Sequence, residues 1–315
     1  MARPRPHLDA PGASDRSEAP ASLVRHLVVS ARPSQWTKNL IVFAALLFGL
    51  QLFKPLAVEH AVGTFLIFCV LSSAVYLVND VMDRDADRMH PKKRFRPIAS
   101  GALSPATALT FAAIFGGVGL VGAWAINRGV LVIAASYLAL LSLYSGPIKR
   151  LVILDVLTIA IGFVMRAAAG AVAVDVPISN WLLVCTILLA LFLALSKRRQ
   201  ELVLLADGAT SHRRILEEYS TALLDQMIAV VTASTLMAYA LYTVSPETVA
   251  KFGTDQLIFT LPFPLYGIFR YLYLVHQKQG GGSPAEMLLT DRPLLACVAL
   301  WAATVVLIVY GPFRA

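Results

Sequence analysis

Charge is scarce in this chain. Asp, Glu, Lys and Arg make up 15% of its 315 residues, well below the share usual in a soluble domain, which excludes an ordinary water-soluble globule. Cysteine is scarcer. Cys69, Cys185 and Cys297 each lie inside an apolar run with no partner at metal or redox spacing, which excludes a disulfide framework and a cysteine-based metal site and leaves small core residues. Gly280-Gly281-Gly282-Ser283-Pro284 lacks the Gly-Lys-Ser/Thr ending of a phosphate loop and reads as a flexible link. No nucleic-acid fold or interleaved aromatic stretch accompanies the positive charge, so nucleic acid is not an expected partner. No cleavable signal peptide is visible, because the first long apolar run comes late and further runs follow it.

What the chain has in quantity is apolar sequence. Hydrophobic residues make up 57% and the mean hydropathy is +0.69. Long apolar runs fall near 39–53, 58–78, 105–126, 129–145, 151–174, 179–196, 222–244, 256–275 and 293–311, most of them close to the ~20 residues a bilayer-spanning helix needs. The expected fold is therefore all-α: a polytopic membrane protein built as a bundle of nine transmembrane helices. Residues 1–21, rich in Pro, Ala, Ser and charge, are expected to be a disordered tail ahead of one membrane domain over 22–315, with 22–32 a short interfacial helix.

Lys and Arg fix the expected orientation. With the N-terminus in the cytoplasm, the inner segments carry 21 of these residues and the outer ones only Lys54, Arg128, Lys251 and Arg314, which the positive-inside rule requires. Nine spans then put the C-terminus outside. The net charge of +8 belongs to one face and suits an anionic substrate or anionic lipid headgroups. The expected location is the cell (inner) membrane, with chemistry on its cytoplasmic face, where the two long charged loops 79–104 and 197–220 lie.

The first of these loops opens with Asn79, Asp80, Asp83, Asp85 and Asp87. If the preceding helix continues, positions 79, 83 and 87 share one wedge at i, i+4 and i+8, with Asp80 near Asp87 at i+7. Such a wedge gathers hard oxygen ligands of the kind that hold Mg²⁺ against a phosphorylated substrate. The plainer alternative is a solvated helix end in which Asp80 pairs with Arg84 and Asp85 with Arg88. Lys92, Lys93 and Arg96 follow at once and are candidates for phosphate oxygens; as an alternative they are only a positive-inside stop. The second loop begins Lys197-Arg198-Arg199-Gln200-Glu201, with Lys197 and Glu201 at i and i+4. Lys38 and Lys149 lie at the same level and either bind phosphate or merely snorkel. Arg166, a permanent cation inside an apolar run among small residues, lines a cavity or pairs structurally. Asp291-Arg292-Pro293 reads as a helix start.

Asn79, Asp80, Asp83 and Asp87 match the signature Asn-Asp-x-x-Asp-x-x-x-Asp, and on it the chain resembles the UbiA superfamily of intramembrane prenyltransferases over roughly 32–312. The loop from Tyr144 to Lys149-Arg150 agrees. Most members carry a second Asp-rich motif at the end of the sixth span; here that place holds Lys197 to Glu201, with one carboxylate and three cations. This departure, with Arg32-Pro-x-Gln-Trp-x-Lys38-Asn39, Gly162-Phe-x-x-Arg166 and Asp291-Arg-Pro-Leu-Leu295, resembles the branch that moves a phosphoribosyl group from phosphoribosyl pyrophosphate to decaprenyl phosphate.

The resemblance implies an Mg²⁺-dependent glycosyltransferase that releases pyrophosphate and serves cell-envelope arabinose donor synthesis, with membrane lipids around it and homo-oligomerisation left open. It implies Asn79, Asp83 and Asp87 as metal ligands, with Asp80 close by. Asp80, Asp83, Asp87, Lys38 and Arg166 are the expected catalytic residues. Lys92, Lys93, Arg96, Tyr144, Lys149, Lys197, Arg198 and Glu201 are the expected substrate-binding ones. Two other readings stay open at this point: prenyl transfer to an aromatic or quinone-precursor acceptor, and a lipid-binding or transport protein without chemistry.

Overall fold

The computed structural model describes residues 20–206, 218–278 and 284–311. The expected tail over 1–21 and the glycine link therefore lie almost wholly outside the described residues. Helix α1 (Pro20–Ala31) leaves Val24, Val28 and Val29 exposed, as an interfacial helix would. It stops where Arg32 takes a left-handed conformation (φ 52°) and Pro33 follows, since such a backbone cannot continue a helix. A 3₁₀ helix (Pro33–Phe43) then runs into α2 (Ala44–Phe48). The first apolar run thus becomes helical earlier than the expected 39–53, and 49–54 is a turn with Leu50 at φ 58°.

The remaining elements are α3 (Pro55–Met82), α4 (Arg84–Met89), α5 (Pro97–Ser100), α6 (Pro105–Ile126), α7 (Arg128–Ser145), α8 (Leu154–Ala173), α9 (Asn180–Ala206), α10 (Thr221–Val244), α11 (Pro246–Phe252), α12 (Pro262–Gln277), α13 (Pro284–Thr290) and α14 (Arg292–Tyr310). Among the described residues there is no strand. Many starts are written locally. Pro occupies the first turn of α3, α5, α6, α11, α12 and α14, where its missing N–H costs nothing. Side chains of Ser104, Asn127, Ser220, Ser245 and Asp291 accept from a backbone N–H of the first turn.

Among the described residues, eight helical stretches are long and apolar enough to cross a membrane. The protein is a multi-pass membrane protein. Its large apolar side chains also face outward, as Val118, Val121 and Trp124 do on α6, which is stable only against lipid. Neighbours pack in a ring: α3 on α6, α6 on α7, α7 on α8, α8 on α9, α9 on α10, and α12 on α14. The 3₁₀ helix lies against α8 and α3. It can approach closely because position 170 is glycine; a Cβ there would stand 2.1 Å from the Val42 carbonyl oxygen. The ring closes where the Tyr310 hydroxyl of α14 donates to the carbonyls of Leu46 and Leu47, at 3.2 and 2.7 Å. Inside it, a largely apolar cavity of about 1330 Å³ runs from Thr37 and Leu288 to Gln51 and Lys251.

Candidate active site

A helix continuous through Asp87 is the expectation from sequence. Instead α3 ends at Met82, and Asp83 (φ −94°, ψ 5°) separates it from α4. Backbone bonds of Asp83 N–H to Asn79 and of Asp87 N–H to Asp83, at 2.9 and 2.8 Å, carry the chain across the break almost in register. The bend sorts the acidic residues into two pairs. Asn79 Nδ2 donates to Asp83 at 3.0 Å, and Asp80 and Asp87 both accept from one Arg96 guanidinium nitrogen, at 3.2 and 2.6 Å. The i+7 neighbours therefore do meet.

Each pair is neutralised by cations from elsewhere in the sequence. Arg32, placed by its left-handed backbone and lying over the Tyr76 ring at 5.0 Å, bonds to Asp80. Burial draws the Arg32 pKa down, and the Asp80 charge opposes that shift. Lys149, on a 3₁₀ turn (Ile148–Arg150) after α7, donates to Asp83 at 2.5 Å. The local alternative is met only in part: Arg88 does reach Asp85, at 3.7 Å, but the partners of Asp80 are Arg32 and Arg96 rather than Arg84. Among the described residues, no three Asp, Glu, His or Cys side chains stand ready as a metal cage. The donor set is nonetheless wholly hard oxygen, of the type that suits Mg²⁺.

Arg166 points from α8 into the space between α3, α7 and the 3₁₀ helix. It is 5% exposed. Its Nε donates to Asn39 at 2.6 Å, and its two terminal nitrogens to Gly162 O at 2.8 Å and to the Tyr137 hydroxyl at 2.5 Å. All three partners are neutral, and among the described residues no carboxylate pairs with this charge. Lys38, half-buried on the 3₁₀ helix directly before Asn39, lies within electrostatic reach of Arg166 and Arg32. Its neighbours Thr37 and Leu40 line the apolar cavity.

Residues 197–201, expected to open the second loop, instead continue α9, which runs to Ala206, and form a separate knot. Arg198 is 2% exposed and gives Nε to Asp155 at 2.6 Å, one terminal nitrogen to Glu201 at 2.5 Å and the other to the Tyr144 hydroxyl at 3.2 Å. Lys197 reaches Glu201 at 3.9 Å, so the expected i,i+4 pair is present but looser than the Arg198 bond. Lys92 lies exposed and Lys93 half-buried on the first loop, their backbone N–H groups bonded to His90 Nδ1 at 3.1 and 3.3 Å. Burial and then the Lys93 charge lower the His90 pKa, while Asp87 and Glu201 act to raise it.

Sequence reasoning missed Asp155, Tyr219 and Tyr76, and gave Asn39 only as part of the 32–39 motif, with no role. A lone carboxylate at the head of the run 151–174 was the available signal for Asp155, since ionisable groups in such runs are rarely idle.

The arrangement is thus a ring of helices around an apolar cavity, with acidic residues at the end of one helix opposed by several cations. The UbiA prenyltransferase family model matches residues 39–291. The chain belongs to the UbiA prenyltransferase family. A relative from Mycolicibacterium smegmatis, named decaprenyl-phosphate phosphoribosyltransferase, is 32% identical over 305 residues, covering 92% of this chain and 94% of the relative. One of the same name from Corynebacterium glutamicum is 32% identical over 313 residues, covering 97% and 93%. A UbiA homolog from Archaeoglobus fulgidus, solved bound to GPP and Mg²⁺, superposes with a TM-score of 0.70 at 19% identity, over 90% of this chain and 99% of that one. This last likeness shows the UbiA fold.

Proposed function

We propose that this UbiA-family chain transfers a 5-phosphoribosyl group from phosphoribosyl pyrophosphate to a polyprenyl phosphate, decaprenyl phosphate in its relatives, and releases pyrophosphate. The observation that carries the reading is the surplus of cations. Arg32, Arg96 and Lys149 answer the carboxylates around the α3–α4 break, while Lys38 and the neutrally partnered Arg166 add two further cations. A donor bearing a 5-phosphate and a pyrophosphate, meeting a lipid phosphate, brings more anions than a prenyl diphosphate meeting a neutral ring. A site for it needs the extra cations. The shared name of the relatives supports the same reading.

Asn79, Asp83 and Asp87 would hold Mg²⁺, with Asp80 close by; when bound, the ion neutralises charge that develops on the leaving pyrophosphate. Arg96 and Lys149 then have phosphate oxygens to turn to, and Lys92 and Lys93 extend that grip along the first loop. Lys38, between the cavity-lining Thr37 and Leu40, holds the acceptor phosphate, with Arg166 adding its positive charge from behind through Asn39, and the apolar walls of the cavity take the prenyl tail. The C1–O bond to pyrophosphate breaks with its electron pair leaving on oxygen, and an oxygen of the lipid phosphate bonds to C1. That phosphate is already ionised near neutral pH, so no strong base is required, and positioning is the main task.

The membrane topology follows from the same reading. The 3₁₀ helix with α2 supplies a ninth span beside the eight long ones, the N-terminus and both charged loops face the cytoplasm of the inner membrane, and the C-terminus lies outside. Residues 22–315 form one transferase domain. Purified protein supplied with labelled phosphoribosyl pyrophosphate and polyprenyl phosphate, or with labelled prenyl diphosphate and an aromatic acceptor, tests the reading. Label from the first donor enters lipid, in a reaction lost on chelation and restored by Mg²⁺. Product from the second donor alone would overturn it.

A further inference from the structure

Asp155 lies in neither charged loop, yet it is fully buried, 0% exposed, in a chain where charge is rare. Its two oxygens are both engaged: one accepts from Arg198 Nε at 2.6 Å and the other from the Tyr219 hydroxyl at 2.9 Å. Tyr219 in turn accepts the backbone N–H of Ile153 at 2.7 Å. That bond clamps a residue at φ 69°, ψ −44°, a backbone conformation costly for a β-branched side chain. A tight turn across Ile153, with Leu154 N–H bonded to Val152 O at 2.8 Å, leads straight into α8. The structure therefore fixes Asp155 in place from three directions and, through it, Arg198.

Arg198 itself is poorly suited to touch a substrate. It is 2% exposed, and all three of its nitrogens are occupied by Asp155, Glu201 and Tyr144. What reaches outward is what it holds. The Glu201 side chain is 22% exposed, and Tyr144, which shares Arg198 with it, lies at the end of α7, five residues before the Lys149 that bonds Asp83. Tyr144 is half-buried, accepts from Arg198, and keeps its own O–H to donate. Glu201 has its two oxygens on Arg198 and Lys197 rather than grouped with other carboxylates around a metal, and without a metal a carboxylate repels phosphate, so it is the wrong group for either end of a phosphoribosyl donor. It is the right group for what lies between them, because a fixed carboxylate accepts strong hydrogen bonds from sugar hydroxyls.

We infer that Asp155 is a positioning residue that sets Arg198 so that Glu201 and Tyr144 read the ribose hydroxyls of the donor. This rests on the phosphoribosyl-transfer reading and adds to it a source of sugar specificity. Here Arg198 positions rather than binds the substrate, and Glu201 is the group that touches it.

The test compares kcat/KM for phosphoribosyl pyrophosphate with that for its 2-deoxy and 3-deoxy analogues, in the full-length wild type and in Glu201→Gln, Asp155→Asn and Arg198→Lys. Intrinsic reactivity of each analogue is the same for every variant, and a partly unfolded sample changes both rates alike, so the ratio is immune to both. In Glu201→Gln, the preference for the full ribose should fall by about tenfold or more, as expected for loss of a charged hydrogen bond. Asp155→Asn and Arg198→Lys should lower it in the same direction, with the KM for polyprenyl phosphate unmoved. A wild type that uses the phosphoribosyl donor but keeps the same ratio in Glu201→Gln would overturn the inference and leave the transfer reading standing. Ratios unchanged in Asp155→Asn and Arg198→Lys, with losses only in thermal stability, would reduce those two residues to a structural role and equally overturn their part. A wild type that uses no phosphoribosyl donor would remove the transfer reading and this inference together.

Discussion

Lys149 donates to Asp83 at 2.5 Å across 66 positions of sequence, joining the turn after α7 to the end of α3. Asn79 holds the other oxygen of the same carboxylate at 3.0 Å. Asp83 is therefore the point at which the helix break, a cation and an amide converge, and its charge is the feature to remove first. Asp83→Asn keeps the size of the side chain and is expected to lower kcat on the order of 100-fold or more, the scale of losing one electrostatic contact at a reacting centre. The melting temperature in detergent should change little. Near-normal turnover with Mg²⁺ present would refute a role for Asp83 in metal binding.

Arg166 supports its surroundings as well as carrying charge. It satisfies Asn39, Gly162 O and Tyr137 together and lies over the Tyr137 ring at 4.7 Å. Lysine cannot reproduce that planar fork. Arg166→Lys is expected to destabilise the protein by about 1–3 kcal/mol through the groups left unpaired and to raise the KM for the lipid acceptor. Thermal unfolding and acceptor titration check the two parts separately.

Gly170 lets the 3₁₀ helix lie directly on α8. A Cβ there would meet the backbone of Val42 at 2.1 to 3.0 Å, whereas one at Gly119 would meet only the side chain of Leu71. A leucine can rotate away and a carbonyl cannot. Gly170→Ala is expected to cost about 1–3 kcal/mol, the usual scale of overpacking, and more than Gly119→Ala, read as the order of their melting temperatures. Because the 3₁₀ helix carries Lys38 and Asn39, activity should fall with Gly170→Ala as well.

His90 organises the first loop by accepting two backbone N–H groups at Nδ1, which requires the neutral ring. Burial and the nearby Lys93 lower its pKa below 6.5 in the folded protein. A lowered value in the fold means that this contribution is complete above the ordinary histidine range and is lost as pH falls below it. The KM for the donor is expected to rise as pH drops from about 7 through the histidine range. His90→Gln, whose amide oxygen accepts without titrating, should flatten that rise; an unchanged profile would discard the idea.

The order of amino acids alone specifies a helical membrane protein and where most of its helices lie. Span length, proline in the first turn and Ser, Asn or Asp caps act over a few residues, so α6, α7, α10 and α14 begin and end close to their apolar runs. It also gathered the acidic residues of 79–87, because neighbours in sequence stay neighbours in space. The tertiary structure alone decided which cation meets which carboxylate. Arg32 finds Asp80 over 48 positions, Lys149 finds Asp83 over 66, and Arg198 finds Asp155 over 43, pairings set by how helices pack and bend rather than by local pattern. The break at Asp83 is one such decision: a single non-helical residue turned an expected continuous wedge into two pairs. Burial of Asp155 is another, since only packing against α9 and Tyr219 makes a lone carboxylate at a helix start into the anchor of the cationic end of α9.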